Sequence, residues 1–101
     1  MSKEMKKLVL DEFSGKNAIE FYRKKASAGL WISEKHFFDK YFQKKGKLLD
    51  IGCGTGRTTI PLQKKGHDIT AIDFVPNMIK VAKEINKDIN YQVGDATDLK
   101  F

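Results

Sequence analysis

The stretch Leu48–Arg57, LLDIGCGTGR, places three glycines within five positions directly behind a short apolar run. Leu48, Leu49 and Ile51 suit a strand, and a strand that breaks into Gly52-Cys53-Gly54-Thr55-Gly56 must turn there. Glycine accepts positive φ without strain and lets another group come close to the backbone. A helix that begins just after such a turn also presents N–H groups with no partner in their own helix. The glycines serve either a tight strand-to-helix connection alone or a connection with a ligand lying against it.

Downstream, the pattern alternates. KLLDI (47–51) reads as a buried strand, and Thr58 to Lys65 reads as a helix with Pro61 in its first turn and Gly66 as its stop. DITAID (68–73) is a β-branched strand. Pro76 opens a helix on which Met78, Ile79, Ala82 and Ile85 form one apolar stripe, and INYQV (89–93) alternates Ile89, Tyr91 and Val93 with polar residues. His67 lies sixteen residues beyond Ile51, enough for a helical crossover between parallel strands. The order βαβαβ predicts an α/β, Rossmann-like mononucleotide-binding half.

Upstream, the first dozen residues lack periodicity and predict a frayed terminus. Two helices are expected before the first strand. One runs from Lys16 to Ala28, with Ala18, Ile19, Tyr22 and Ala26 at helical spacing and Gly29 as its stop; the other is capped by Ser33 and carries Phe37, Phe38, Tyr41 and Phe42 on one face. Residues 1–46 thus form a helical cap segment and residues 47–101 the first half of an α/β domain.

Length and composition bound what this can be. A chain of 101 residues is one small domain or a piece of a larger one, and 41% apolar residues suffice for a packed core. No run approaches the ~18 apolar residues of a membrane span, and LVL (8–10) is too short for a signal peptide. The single cysteine, Cys53, excludes an internal disulfide and fits a reducing compartment, so a cytoplasmic protein is expected. The formal charge of +6 is concentrated in residues 1–50, which carry twelve basic and seven acidic side chains. Nucleic-acid binding is one reading of that half. A solvated lysine surface is favoured over it, because only Arg23 and Arg57 have the forked side chain suited to gripping phosphate. His36 and His67 lie 31 residues apart without ligand-like companions, so no metal site is expected.

Three features fall at the carboxyl ends of the three expected strands, where ligands bind in such sheets. They are the glycine turn, Asp73 at 21 residues beyond Gly52, and Gly94-Asp95-Ala96. Each has a plain alternative: a tight turn, a helix cap, an ordinary turn residue. A nucleoside explains all three together, with Asp73 accepting from ribose hydroxyls and Asp95 and its neighbouring N–H reading an adenine edge.

The dinucleotide fingerprint is G-x-G-x-x-G, but here the third glycine comes one residue early. LLDIGCGTGR, GHDITAIDFVPNMIKVAKE and YQVGDATDLKF, in that order and at these intervals, resemble the class I S-adenosylmethionine-dependent methyltransferases over Lys47 to Phe101. The resemblance implies that S-adenosylmethionine is the cofactor, S-adenosylhomocysteine the product, and a small molecule the methyl acceptor. It implies that Asp50 and the turn of Gly52, Cys53, Gly54 and Gly56 lie beside the methionine portion. Asp73 would hold the ribose, Phe74 and Met78 would contact the adenine, and Asp95 and Ala96 would read its edge. Val75 stands where serine is common and Lys100 where proline is frequent; neither should abolish binding. Cys53 is better explained as a small side chain in a tight place than as an activated thiolate. Tyr22, Arg23 and Trp31 are candidates for a lid, with packing against the sheet as the alternative.

In the resembling family the sheet has seven strands, ordered 3-2-1-4-5-7-6, and this sequence stops before the fourth. The fold expected is therefore the N-terminal βαβαβ half of the methyltransferase fold, with an open apolar edge on its first strand. That implies either a truncated enzyme or a homodimer paired through the first strands. A non-catalytic S-adenosylmethionine-binding module and an RNA methyltransferase fragment remain as alternative functions.

Overall fold

A computed structural model describes residues 2–97. Asp98 to Phe101, which carry the last of the resemblance including Lys100, lie outside the described residues. The elements run α1 (Lys3–Ser14), α2 (Lys16–Ala26), α3 (Ile32–Tyr41), β1 (Lys47–Ile51), α4 (Thr59–Lys64), β2 (Asp68–Asp73), α5 (Pro76–Ile85) and β3 (Asn90–Val93). The strands form a parallel sheet in the order β1-β2-β3, with Asp50 opposite Ala71 and Ala71 opposite Tyr91. The helices α4 and α5 make the crossovers, so the expected βαβαβ unit is present.

Side chains that pair in register point to the same face of the sheet. Ile69, Ala71 and Tyr91 meet Leu62, Ile79 and Ala82 in the core, with Leu48, Phe38 and Ile60 packed against it. Ala71 and Ala82 are fully buried. Their small side chains leave room for α5 to lie close on β2. Val81, rather than Ile85, joins Met78, Ile79 and Ala82 on the buried face; Ile85 is 40% exposed in the last helical turn.

The N-terminal region differs from expectation. Three helices, not two, precede the sheet, because residues 3–14 form α1 instead of a frayed end. Ser2 caps α1, its Oγ accepting the Met5 N–H at 3.1 Å, and Glu4 in the first turn favours the positive end of the helix dipole. None of its residues is fully buried; a short half-buried stripe of Val9, Leu10 and Phe13 places it, with Val9 and Phe13 walling a recess. The α3 helix starts at Ile32, ahead of the expected Ser33 cap. Trp31 has no side-chain acceptor to cap with; instead Glu34 reaches back to take the Trp31 N–H at 2.9 Å. The α3 aromatics do not share one buried face either. Phe38 and Phe42 are half-buried while Phe37 and Tyr41 are exposed, since adjacent helical residues point about 100° apart.

The reading of KLLDI as a buried strand also needs correction. Among the described residues β1 pairs with β2 alone, and along it exposed and half-buried residues alternate. Leu49 and Ile51 are exposed, which gives the apolar open edge anticipated for this strand. Among the described residues, no helix is long and apolar enough to cross a membrane.

Gly56 has φ +102°, and a Cβ there would overlap the Tyr91 hydroxyl and sit 3.4 Å from Ile60. Gly56→Ala is therefore expected to destabilise the fold by about 2 kcal/mol or more in urea unfolding. Gly15, with φ −66° and open space around it, is the control. Its alanine variant should stay within about 0.5 kcal/mol of the parent. Equal effects at the two positions would contradict this packing.

Candidate functional site

The glycine turn is tied down from below. Gly52 and Cys53 both donate their N–H groups to the Ile72 carbonyl, at 2.8 and 3.0 Å, so the turn is anchored on the end of β2. Gly52 and Gly54 have φ of +75° and +56°, and a Cβ on either would meet nothing within 4 Å. The space above both is open, as a ligand lying on the backbone requires.

Asp73 joins this turn to its neighbours. Its Oδ2 accepts from the Gly54 N–H and its Oδ1 from the Val75 N–H, each at 2.9 Å, while its carbonyl accepts the Gly94 N–H at 3.0 Å. One residue thereby binds all three strand ends. A carboxylate has about four acceptor positions; two of these remain for a ligand.

Two recesses share Tyr22, Gly52 and Gly54. The first, about 330 Å³, has Asp73, Gly94 and Ala96 at its polar end and Val9, Phe13, Ile72, Phe74 and Met78 as apolar walls. The second, about 350 Å³, is bounded by Phe21, Lys25, Trp31, Arg57, Thr55 and Thr58. The Lys25 ammonium lies 5.3 Å from the Phe21 ring centre, and among the described residues it pairs with no carboxylate.

The expected residues are only partly gathered here. Gly52, Gly54, Asp73, Phe74, Met78 and Ala96 line the first recess, and Gly56 is buried beneath the turn. Asp50 lines neither recess. Its Oδ2 accepts from the hydroxyls of Thr59 at 2.6 Å and Thr58 at 3.2 Å, bracing the start of α4. Asp95 holds Lys6 of α1 at 2.7 Å and accepts from the Thr97 N–H and hydroxyl. The bond from Lys6, followed by those from Thr97, keeps its carboxyl well below the usual range.

Of the three lid candidates, Tyr22 touches both recesses and Trp31 borders the second. Arg23 lies apart, paired with Glu84 of α5 at 3.2 Å and Glu20 at 3.5 Å. Cys53 is buried, and burial, then the negative charges of Asp50 and Asp73, push its thiol far up. Among the described residues, no three His, Cys, Asp or Glu side chains group as metal ligands.

Several wall residues had no sequence signal. Val9 and Phe13 sit in the stretch without periodicity, and Lys25 and Phe21 are ordinary members of a helix. Thr55 donates its hydroxyl to the Tyr22 carbonyl, a contact across 33 residues that no local pattern encodes. Arg57 was notable as one of two arginines, and its fork meets a carboxylate: Nη1 and Nη2 reach the two Glu34 oxygens at 2.6 and 3.0 Å. The pair lowers the pKa of Glu34 and raises that of Arg57.

A parallel sheet with a glycine turn, an acidic residue and a Gly-Asp-Ala segment at successive strand ends defines a Rossmann-like methyltransferase fold. The family described as "Methyltransferase domain" matches residues 48–101, and the chain belongs to it, among the class I S-adenosylmethionine-dependent methyltransferases. The chain is 39% identical over 57 residues to the magnesium-protoporphyrin O-methyltransferase of Rhodobacter capsulatus, covering 52% of this chain and 25% of that protein. It is 44% identical over 55 residues to the demethylmenaquinone methyltransferase of Paenarthrobacter aurescens, covering 54% and 22%. A TehB-like S-adenosylmethionine-dependent methyltransferase from Corynebacterium glutamicum superposes with a TM-score of 0.61 at 35% identity, covering 78% of this chain and 44% of that one. The chain thus spans about a quarter of the length of the curated relatives it matches.

Burial makes the state of Cys53 testable. The native thiol should react with an aromatic disulfide reagent at pH 8 at least about tenfold more slowly than the urea-unfolded chain. Reaction faster than in the unfolded chain would mean an activated thiolate.

Proposed function

We propose that this chain is the S-adenosylmethionine-binding portion of a methyltransferase acting on a small molecule in the reducing cytoplasm, with S-adenosylhomocysteine as product. The observation that carries the proposal is the placement of Asp73, with two acceptor positions to spare, beside the open backbone of Gly52 and Gly54. A nucleoside's ribose hydroxyls can donate to those two acceptor positions, and the apolar walls of Phe74, Val75 and Met78 suit an adenine ring. Gly94 and Ala96 would approach its edge, with Asp95 accepting from the exocyclic amine.

The amino-acid end would extend over the glycine turn into the second recess. There Lys25 is the cation with no carboxylate partner among the described residues, suited to the ligand's carboxylate. Bound S-adenosylmethionine would supply a methyl group already activated on a sulfonium. The protein's own groups would orient that ligand, exclude water and align an acceptor, a task in which proximity does most of the work. The names of the two relatives, a magnesium-protoporphyrin O-methyltransferase and a demethylmenaquinone methyltransferase, support a small-molecule acceptor. The free edge of β1, with Leu49 and Ile51 exposed, supports pairing of two copies through their first strands. Sedimentation as a monodisperse monomer at micromolar concentration would exclude that dimer.

Calorimetric titration with S-adenosylmethionine tests the main reading. Saturable binding is expected, absent with NAD and weakened at least about tenfold by Asp73→Ala, as loss of charge-assisted hydrogen bonds requires. Circular dichroism of the variant must confirm that it folds, since Asp73 also holds two backbone N–H groups. No binding to the folded parent chain, or equal binding of NAD, would contradict the proposal.

A further inference from the structure

Arg57 is the first residue after the last glycine of the turn, yet its guanidinium serves the N-terminal helices. Besides its two bonds to Glu34, Nη1 donates to the Gly29 carbonyl at 3.1 Å, and the guanidinium carbon stacks 4.5 Å from the centre of the Trp31 ring. Glu34 Oε1 takes the Trp31 N–H as well, so one carboxylate joins Arg57 to the start of α3. The two charged side chains are only 23% and 24% exposed. A forked, two-point contact of this kind fixes direction as well as distance.

Trp31 depends on this arrangement. It is 58% exposed, and the packing of α3 on the core comes from Phe38, seven residues further along the chain. Its ring nevertheless borders the second recess, which the glycine turn, Lys25 and Arg57 also line. The charge of Arg57 is already matched by Glu34, whereas among the described residues that of Lys25 pairs with no carboxylate and lies over the Phe21 ring. The two cations in the recess therefore have different roles.

We infer that Arg57 is a positioning residue for the amino-acid end of the adenosyl ligand. It pins Trp31 and the Gly29 connection to the glycine turn, so that the second recess keeps its outer wall. The inference rests on the adenosyl reading of the site. It predicts discrimination between ligands that share the nucleoside and differ in the tail, because the hydrogen-bond and stacking partners of Arg57 among the described residues, Gly29, Glu34 and Trp31, do not line the first recess.

The test compares S-adenosylhomocysteine with methylthioadenosine, which lacks the amino-acid end, by calorimetry on the parent chain and on Arg57→Met, Arg57→Lys and Trp31→Leu. Arg57→Met is expected to weaken S-adenosylhomocysteine at least about tenfold and methylthioadenosine by less than about twofold. Arg57→Lys should fall between parent and Arg57→Met, since lysine keeps the charge but loses the fork. Trp31→Leu should reproduce the tail-selective loss without touching the ion pair, which covers the case in which Arg57→Met does not fold. Trp31 is the only tryptophan, and its emission should shift on adding S-adenosylhomocysteine to the parent chain and much less with methylthioadenosine. Equal weakening of both ligands would mean a merely structural role, and no weakening of either would also overturn the inference. Failure of both ligands to bind the folded parent chain would instead strike the adenosyl reading itself, and this inference with it.

Discussion

The carboxylate and carbonyl of Asp73 hold the functional end of this sheet together. The side chain accepts the N–H of Gly54 on one side and of Val75 on the other, and the carbonyl accepts the N–H of Gly94. Positive φ at Gly52 and Gly54 leaves N–H groups in the turn that no helix satisfies, and a partly buried N–H without a partner is costly. Asp73 and the Ile72 carbonyl satisfy them. The open backbone of the glycine turn exists because β2 ends where it does.

A second layer of contacts fastens the N-terminal helices over that end. Thr55 takes the Tyr22 carbonyl, Arg57 takes Glu34 and Gly29, and Lys6 takes Asp95. Lys6 and Asp95 meet through a single 2.7 Å contact, which fixes distance but not direction, so that pair by itself holds α1 only loosely. The half-buried, forked Arg57–Glu34 pair is the firmer of the two. This gradient leaves α1 as the more easily displaced wall of the first recess and the Gly29 connection as the better fixed wall of the second.

The α/β core was legible because its signals are local. Pro76, the glycine turn and the β-branched run 68–73 mark element boundaries by backbone chemistry alone. The N-terminal third was less so. Helix α1 buries only a short stripe, Val9, Leu10 and Phe13, and that only halfway, which is a weak signal, and the start of α3 depends on a carboxylate three residues ahead rather than on the serine that looked like a cap. At the site, Asp73 and the glycines were readable from spacing. Asp50 instead braces α4, Arg23 turns to Glu84, and Arg57 works through partners 23 and 28 residues distant. Such long-range polar pairings have no periodicity, and only the folded geometry reveals them.

The central claim is that a nucleoside lies across the three strand ends with its tail over the glycine turn. Amide chemical-shift mapping during titration with S-adenosylhomocysteine tests it most directly. The account predicts the largest shifts at Gly52, Gly54, Val75 and Ala96, with a separate response of the Trp31 indole. Shifts absent at saturating ligand, or confined to the lysine-rich surfaces of α2 and α3, would contradict it.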